Sequence, residues 1–105
     1  MTRIEQLLAF YKEDPSDSFV AYSIAQEFLK AGNLTDAISY FVSLKENDPS
    51  YVGLYFHLGK TYEKAGDLTN ARQAYVDGIA QAREAKDNHA ASELQGALAL
   101  LDESD

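Results

Sequence analysis

The sequence predicts an all-α fold, an alpha-alpha superhelix of about six antiparallel helices, from two observations. Part of the chain repeats at a spacing of 34 residues, and apolar residues between the repeated positions recur at helical spacing. A period of that length is typical of stacked helical hairpins, none of which can bury its apolar face alone. The repeated pairs are Pro15/Pro49, Gly32/Gly66, Leu34/Leu68, Thr35/Thr69 and Ala37/Ala71.

The first predicted helix lies before the repeated part of the chain. Thr2 and Glu5 have the spacing of a capping box, which indicates that a helix begins there. Pro15 ends this helix, because a proline pushes the residue before it out of the α region. Ser16 or Asp17 is expected to cap the second helix, since short polar side chains can accept the unpaired N–H groups of a first turn.

The two hairpins in the middle of the chain follow one plan. Gly32 and Gly66 are expected to end the second and fourth helices in a left-handed conformation. Asn33 and Asp67 then cap the third and fifth helices, and Ser50 is the candidate cap of the fourth.

The second copy departs from the first towards its end. Arg83 stands where Pro49 would recur, so the fifth helix is expected to run about one turn longer, at ~3.6 residues per turn. A sixth helix follows Asn88, and residues 102–105 are expected to fray. The prediction is one domain over 1–105, with an N-terminal helix at 2–14, repeats at 17–48 and 51–86, and a C-terminal capping helix at 88–102.

The composition limits the classes of partner. The chain has 17 acidic and nine basic residues and a formal net charge of -8. An acidic surface repels phosphate, so neither nucleic acid nor an anionic membrane is expected to be a partner. No apolar run approaches the ~20 residues that span a bilayer, and the charged N-terminal segment is unlike a signal peptide. A cytoplasmic location is therefore expected.

The sequence contains few residues in arrangements suited to catalysis or metal binding. It contains no cysteine, which excludes disulfides, thiol catalysis and zinc–thiolate sites. The two histidines, His57 and His89, are not surrounded by a helix-borne metal motif. The prediction is a protein without enzymatic activity, cofactor or metal.

The repeated residues resemble the tetratricopeptide repeat (TPR) family, and the chain looks like a small stand-alone bacterial-type member. The match covers roughly 17–83, while Arg3 departs from the family's alanine in the half-repeat at the front. The second repeat reads Tyr55-x-x-Leu58-Gly59-x-x-Tyr62, then Ala71-x-x-x-Tyr75. The first repeat reads Ala21-x-x-Ile24-Ala25-x-x-Phe28, then Ala37-x-x-x-Phe41 and Pro49.

The resemblance implies a scaffold for protein–protein interaction, with a concave peptide-binding groove lined by the first helix of each repeat. A partner protein or peptide is expected, with the lysines pairing its carboxylates. The alternative is that these lysines are solvated surface and that the aromatic residues pack on neighbouring helices. The groove residues carried over by repeat position are Phe19, Tyr22, Gln26, Lys30, Phe56, His57, Lys60 and Lys64.

Two further expectations concern partners. The family's clamp for chaperone C-termini uses lysine, asparagine and arginine, but its positions here carry Tyr22, Gln26 and His57, so that ligand is not expected. Two full repeats are fewer than the usual three, and Ala91, Ala99 and Leu100 lie off the main stripe of the sixth helix. The chain is therefore either a monomer or a self-associating homodimeric unit.

Overall fold

The computed structural model describes residues 1–103, and within these residues all regular structure is α-helical. The predicted all-α helical-repeat fold is confirmed. Among the described residues, no helix is long and apolar enough to cross a membrane. The helices are α1 (Arg3–Glu13), α2 (Ser18–Lys30), α3 (Leu34–Asn47), α4 (Gly53–Lys64), α5 (Leu68–Glu84) and α6 (Asn88–Glu103).

The helices form two compact units that meet in the sequence between Tyr51 and Val52. In the first unit α2 packs on both α1 and α3. In the second unit α5 packs on both α4 and α6, and α4 also contacts α6. The boundary falls between the two predicted repeats, and the single-domain organisation over 1–105 stays a prediction.

The first two helices begin as their sequences predict. The Thr2 hydroxyl accepts a hydrogen bond from the Glu5 N–H, and the Glu5 carboxylate accepts one from the Thr2 N–H. This completes the capping box. Asp17, the second of the two candidates, caps α2 by accepting the backbone N–H three residues ahead at 3.1 Å. Ser16 instead bonds to a carboxylate oxygen of Asp14.

Turns of one type connect α2 to α3, α4 to α5 and α5 to α6. Gly32 and Gly66 have φ values of 81° and 80°, which confirms their left-handed conformation. Lys86 takes the same place after α5 with φ 59°, although a lysine carries the Cβ that disfavours this region. In each turn the next residue's N–H returns to the carbonyl five positions earlier, as in a Schellman motif. The side chain of that next residue, Asn33, Asp67 or Asp87, then caps the following helix.

The expected cap of the fourth helix is wrong. The helix begins at Gly53 after Val52, and no side chain caps it. The Ser50 hydroxyl donates instead to Asp48 at 3.0 Å, while the Tyr51 N–H closes a turn onto the Asp48 carbonyl. This turn delays the start of α4 by three residues relative to Ser50, which puts the serine out of reach of the helix's first N–H groups.

The fifth helix is longer than its counterpart, as predicted. It has 17 residues where α3 has 14. The difference of three residues is close to one helical turn of ~3.6 residues. It follows from Arg83, which leaves the helix free to continue where proline ends α3 after Asn47.

The expected fraying of the C-terminal tail is wrong for its first two residues. Asp102 and Glu103 belong to α6, and Asp102 accepts from Arg72 of α5 at 2.8 Å and 2.6 Å. This pair links the last turn of α6 to α5. The other two tail residues, Ser104 and Asp105, lie outside the described residues.

Close approach of α4 and α5 organises the core of the second unit. Gly59 faces the ring of Tyr75, and a Cβ on Gly59 would overlap that ring. On the other side of the pair, a Cβ on Gly78 would lie 2.5 Å from the Cβ of Tyr55. Both tyrosine side chains are at most 1% exposed. Gly59 is part of the repeat pattern in the sequence, whereas Gly78 is not.

Replacing Gly59 by alanine is expected to destabilise the protein by about 1–3 kcal/mol, because the added methyl group must displace the buried Tyr75 ring. Gly96→Ala is the matched control. It also lies in a helix, but no atom within 4 Å meets its added Cβ, so alanine there should stabilise by ~1 kcal/mol. Denaturant unfolding of both variants is the measurement. Equal gains in stability would contradict the close approach at Gly59.

Replacing Lys86 by glycine is expected to stabilise the protein by about 1 kcal/mol, because glycine adopts a positive φ without a Cβ clash. For a chain of this size that corresponds to a rise in Tm of about 4–8 °C. Lys86→Ala removes the same charge but keeps a Cβ, and should give no such rise. Thermal melts that rank Lys86→Ala equal to Lys86→Gly would show that charge, not backbone conformation, is responsible.

Candidate functional site

The exposed face of α2 carries the four residues that the sequence predicted there. Phe19, Tyr22, Gln26 and Lys30 follow one another at intervals of three or four residues and so lie along one side of the helix. They line an open pocket of about 190 Å³, here called the α2 pocket. Its remaining lining residues, which sequence reasoning missed, are Ser23 and Glu27 of α2 and Arg3 of α1.

The aromatic end of the α2 pocket combines a fixed ring and an exposed one. The Tyr22 ring packs against Phe41 and Tyr51, with centroid distances of 6.2 Å and 5.3 Å. Its hydroxyl accepts a hydrogen bond from the Gln26 side chain at 3.0 Å. Burial raises the pKa of Tyr22, so this phenol stays neutral. Phe19, in contrast, is 65% exposed.

The other end of the α2 pocket is basic. Arg3 Nε lies 2.7 Å from a carboxylate oxygen of Glu27, which joins the first turn of α1 to the end of α2. Lys30 is exposed in the last turn of α2, and no carboxylate of residues 1–103 forms a salt bridge with it. Arg3, which departs from the family pattern, therefore has a structural role at the pocket edge.

The corresponding helix of the second unit presents a different surface. The Lys60 ammonium lies 5.5 Å from the centroid of the Phe56 ring and 3.7 Å from a carboxylate oxygen of Glu63. The Tyr75 hydroxyl donates a short hydrogen bond to the same oxygen. Burial and the Glu63 carboxylate both raise the pKa of Tyr75. Lys60 is therefore already held by two neighbours, whereas Lys64, one turn further on, is exposed.

His57 is half-buried next to Phe56, with the two rings edge to face at 5.6 Å. Burial lowers the pKa of His57, and the negative charge of Glu93 on α6 opposes this effect. The neutral imidazole is thus the favoured form at pH 7. Nε2 of His89 on α6 lies 3.4 Å from an oxygen of the same carboxylate.

Neither surface has the donors of a metal site. Over residues 1–103, no group of three histidine, cysteine or carboxylate side chains is placed to hold a metal ion. What the two surfaces do offer is aromatic area beside hydrogen-bonding and basic groups. Such surfaces are suited to contact with another polypeptide.

The fold and these surfaces define the class: a helical-repeat protein built from short helix pairs. The sequence profile of the tetratricopeptide repeat matches residues 52–84. A tetratricopeptide repeat domain protein from Salinibacter ruber is 42% identical, with a TM-score of 0.80. The match covers 85% of this chain and 99% of that one. This chain belongs to the tetratricopeptide repeat family.

More distant structures share the fold. Protein BPP2914 from Bordetella parapertussis is 26% identical with a TM-score of 0.86, and the match covers 100% of this chain and 91% of that one. PcrH in complex with the chaperone binding region of PopD has a TM-score of 0.90 at 16% identity, covering 96% and 77% of the two chains. None of the curated proteins matches this chain. Folds of this family generally serve as non-enzymatic scaffolds.

Acidification is expected to destabilise the native protein more than the His57→Gln variant. The pKa of His57 is lower in the folded state than the ordinary 6.5, so the unfolded chain takes up a proton first as the pH falls. The stability contributed by neutral His57 is complete above pH 6.5 and is lost as the pH falls towards the folded-state pKa.

The measurement is the change in Tm between about pH 7.5 and pH 5.5, which bracket the ordinary histidine pKa. His89→Gln is the control, because the His89 side chain is 86% exposed. An unchanged pH dependence in His57→Gln would refute the role assigned to burial of this residue.

Proposed function

We propose that this protein is a protein–protein interaction module that binds a peptide segment of its partner on the exposed face of the first helix of each repeat. The α2 pocket is the observation that carries the proposal. It places the exposed Phe19 ring beside the fixed Tyr22 ring and the Gln26 amide. Aromatic side chains next to a few polar groups are typical of anchoring positions in protein interfaces. The proposal takes the two repeats to be residues 17–48 and 51–86.

Two further observations support it. PcrH, which shares the fold, is known in complex with a region of PopD, so the fold accommodates a polypeptide partner. The net charge of -8 makes phosphate-rich partners such as nucleic acid unfavourable. On α4 the proposal includes Phe56, His57, Lys60 and Lys64. A cytoplasmic location stays a prediction.

The test is a selection of peptides from a displayed random library with the native protein as bait, followed by fluorescence anisotropy of the enriched peptides. Phe19→Ala is expected to raise their Kd by about tenfold or more, as loss of an aromatic anchor costs above ~1.4 kcal/mol. Phe10→Ala is the matched control, because Phe10 is 59% exposed but does not line the α2 pocket. Equal Kd values for the two variants would reject the pocket as the binding site.

The second candidate is a homodimeric structural unit. Leu100 of α6 is 65% exposed beside the exposed Ala99, which leaves apolar surface on this helix, whereas Ala91 is buried and does not contribute to it. If a second copy covers it, light scattering at high concentration gives about twice the 11.6 kDa mass of one chain, and Leu100→Glu restores the single mass. A native mass near 11.6 kDa at high concentration would remove this candidate.

A further inference from the structure

We infer that the α2 pocket selects acidic peptides, with an apolar side chain on Phe19 and Tyr22 and a carboxylate at Lys30. This inference rests on the proposed function and adds the chemistry of the ligand to it. The peptide is expected to lie along α2, with its carboxylate at the C-terminal end of the helix.

The two ends of α2 differ in charge. At the C-terminal end, Arg3 and Lys30 border the α2 pocket with Glu27 as the only carboxylate among the lining residues, so the local charge is positive. At the N-terminal end, Asp17 caps the helix and Asp48 accepts a hydrogen bond from Ser18 at 2.7 Å. A basic end is unusual in a chain with a net charge of -8, and it provides a place for an anionic group.

The acidic end is too far away to cancel the basic one. α2 has 13 residues, so Asp17 and Lys30 are separated by about 20 Å at ~1.5 Å per residue. The Debye length at physiological ionic strength is ~8 Å, less than half of this distance. Asp17 therefore contributes little to the potential at a carboxylate beside Lys30.

The end of the helix itself does not repel the anion strongly. Unpaired carbonyl groups give the C-terminus of a helix a partial negative charge. In α2 the carbonyls of residues 27–29 accept hydrogen bonds from the N–H groups of Ala31, Gly32 and Asn33. Because the turn satisfies these carbonyls, the positive charge of Lys30 is less offset than at an open helix end.

The pocket also sets the spacing of the two ligand groups. Phe19 and Lys30 are 11 positions apart, or about 16 Å along the helix at ~1.5 Å per residue. An extended peptide covers that distance in about five residues at ~3.3 Å each. The peptides expected to bind therefore carry a large apolar residue and an acidic residue about five positions apart.

Lys60 of α4 is less suitable than Lys30 as the primary anion site. Lys60 already contacts the Phe56 ring and the Glu63 carboxylate. A ligand carboxylate there would compete with Glu63 or experience its negative charge. No carboxylate of residues 1–103 forms a salt bridge with Lys30, and the neighbouring Glu27 is paired with Arg3, which favours Lys30 over Lys60 as the partner of the acidic group.

The test compares Lys30→Glu with Lys12→Glu, using the peptides enriched from a random library on the native protein. Both lysines occupy the last turn of their helices and are exposed, but only Lys30 lines the pocket. Peptides with the apolar–acidic spacing should dominate, and Lys30→Glu should raise their Kd by about tenfold or more. Lys12→Glu should change the Kd less than threefold.

A glutamine version of each enriched peptide identifies the partner of Lys30. If the peptide carboxylate pairs with Lys30, the change to glutamine weakens binding to the native protein but has little further effect on binding to Lys30→Gln. Circular dichroism of each variant verifies that it is folded. Lys30→Gln, which introduces no negative charge, replaces Lys30→Glu if the latter unfolds.

The outcomes test the acidic preference and the proposed function separately. Neutral or basic peptides that lose affinity on Phe19→Ala but not on Lys30→Glu would overturn the acidic preference and leave the proposed function standing. Peptides that are insensitive to Phe19→Ala would overturn both. Acidic peptides that are sensitive to Phe19→Ala and Lys30→Glu support both.

Discussion

Contact between a glycine and an aromatic ring is the constraint on which the second unit depends. α4 and α5 approach so closely that Gly59 has no room for a Cβ beneath Tyr75, and Gly78 faces Tyr55 in the same way. Each tyrosine is buried because the opposite helix provides a residue without a side chain. Close packing of this kind leaves little freedom in how the two helices can be placed.

The same contact influences the surface. The Tyr75 ring is held over Gly59, so its hydroxyl reaches the edge of the helix pair and donates to Glu63. Glu63 in turn lies close to Lys60, which also contacts Phe56. The buried Tyr75 thereby influences, through Glu63, how the predicted groove residue Lys60 is held. This is the physical reason why Lys60 of α4 is less available than Lys30 of α2.

The two units show how one repeat plan supports different surfaces. The positions that pack helix on helix carry small, aliphatic and aromatic residues, whereas the opposite side of the first helix differs between the two units. In the first unit that side forms an open pocket between an exposed Phe19 and a basic end. Arg3 contributes to that end because it reaches Glu27 from the neighbouring helix. Binding properties therefore reside in residues that the repeat itself does not restrict.

Local signals in the sequence account for most of the fold. The capping box at Thr2 and the glycines at 32 and 66 each depend on a few neighbouring residues, and the structure has them as expected. Ser50 failed as a cap because the turn around Asp48 delays the helix. Nothing in the sequence indicated the positive φ of Lys86, since lysine rarely adopts that conformation.

The candidate site could be predicted only in part from local signals in the sequence. Repeat position alone identified Phe19, Tyr22, Gln26 and Lys30 as one face of a helix, because helical periodicity is a local property. Whether a lysine on such a face is held or open depends on side chains distant in the sequence. Tyr75 reaches Glu63 beside Lys60, and Arg3 reaches Glu27 beside Lys30. Those contacts exist only once the helices pack against one another, so the tertiary structure alone decided them.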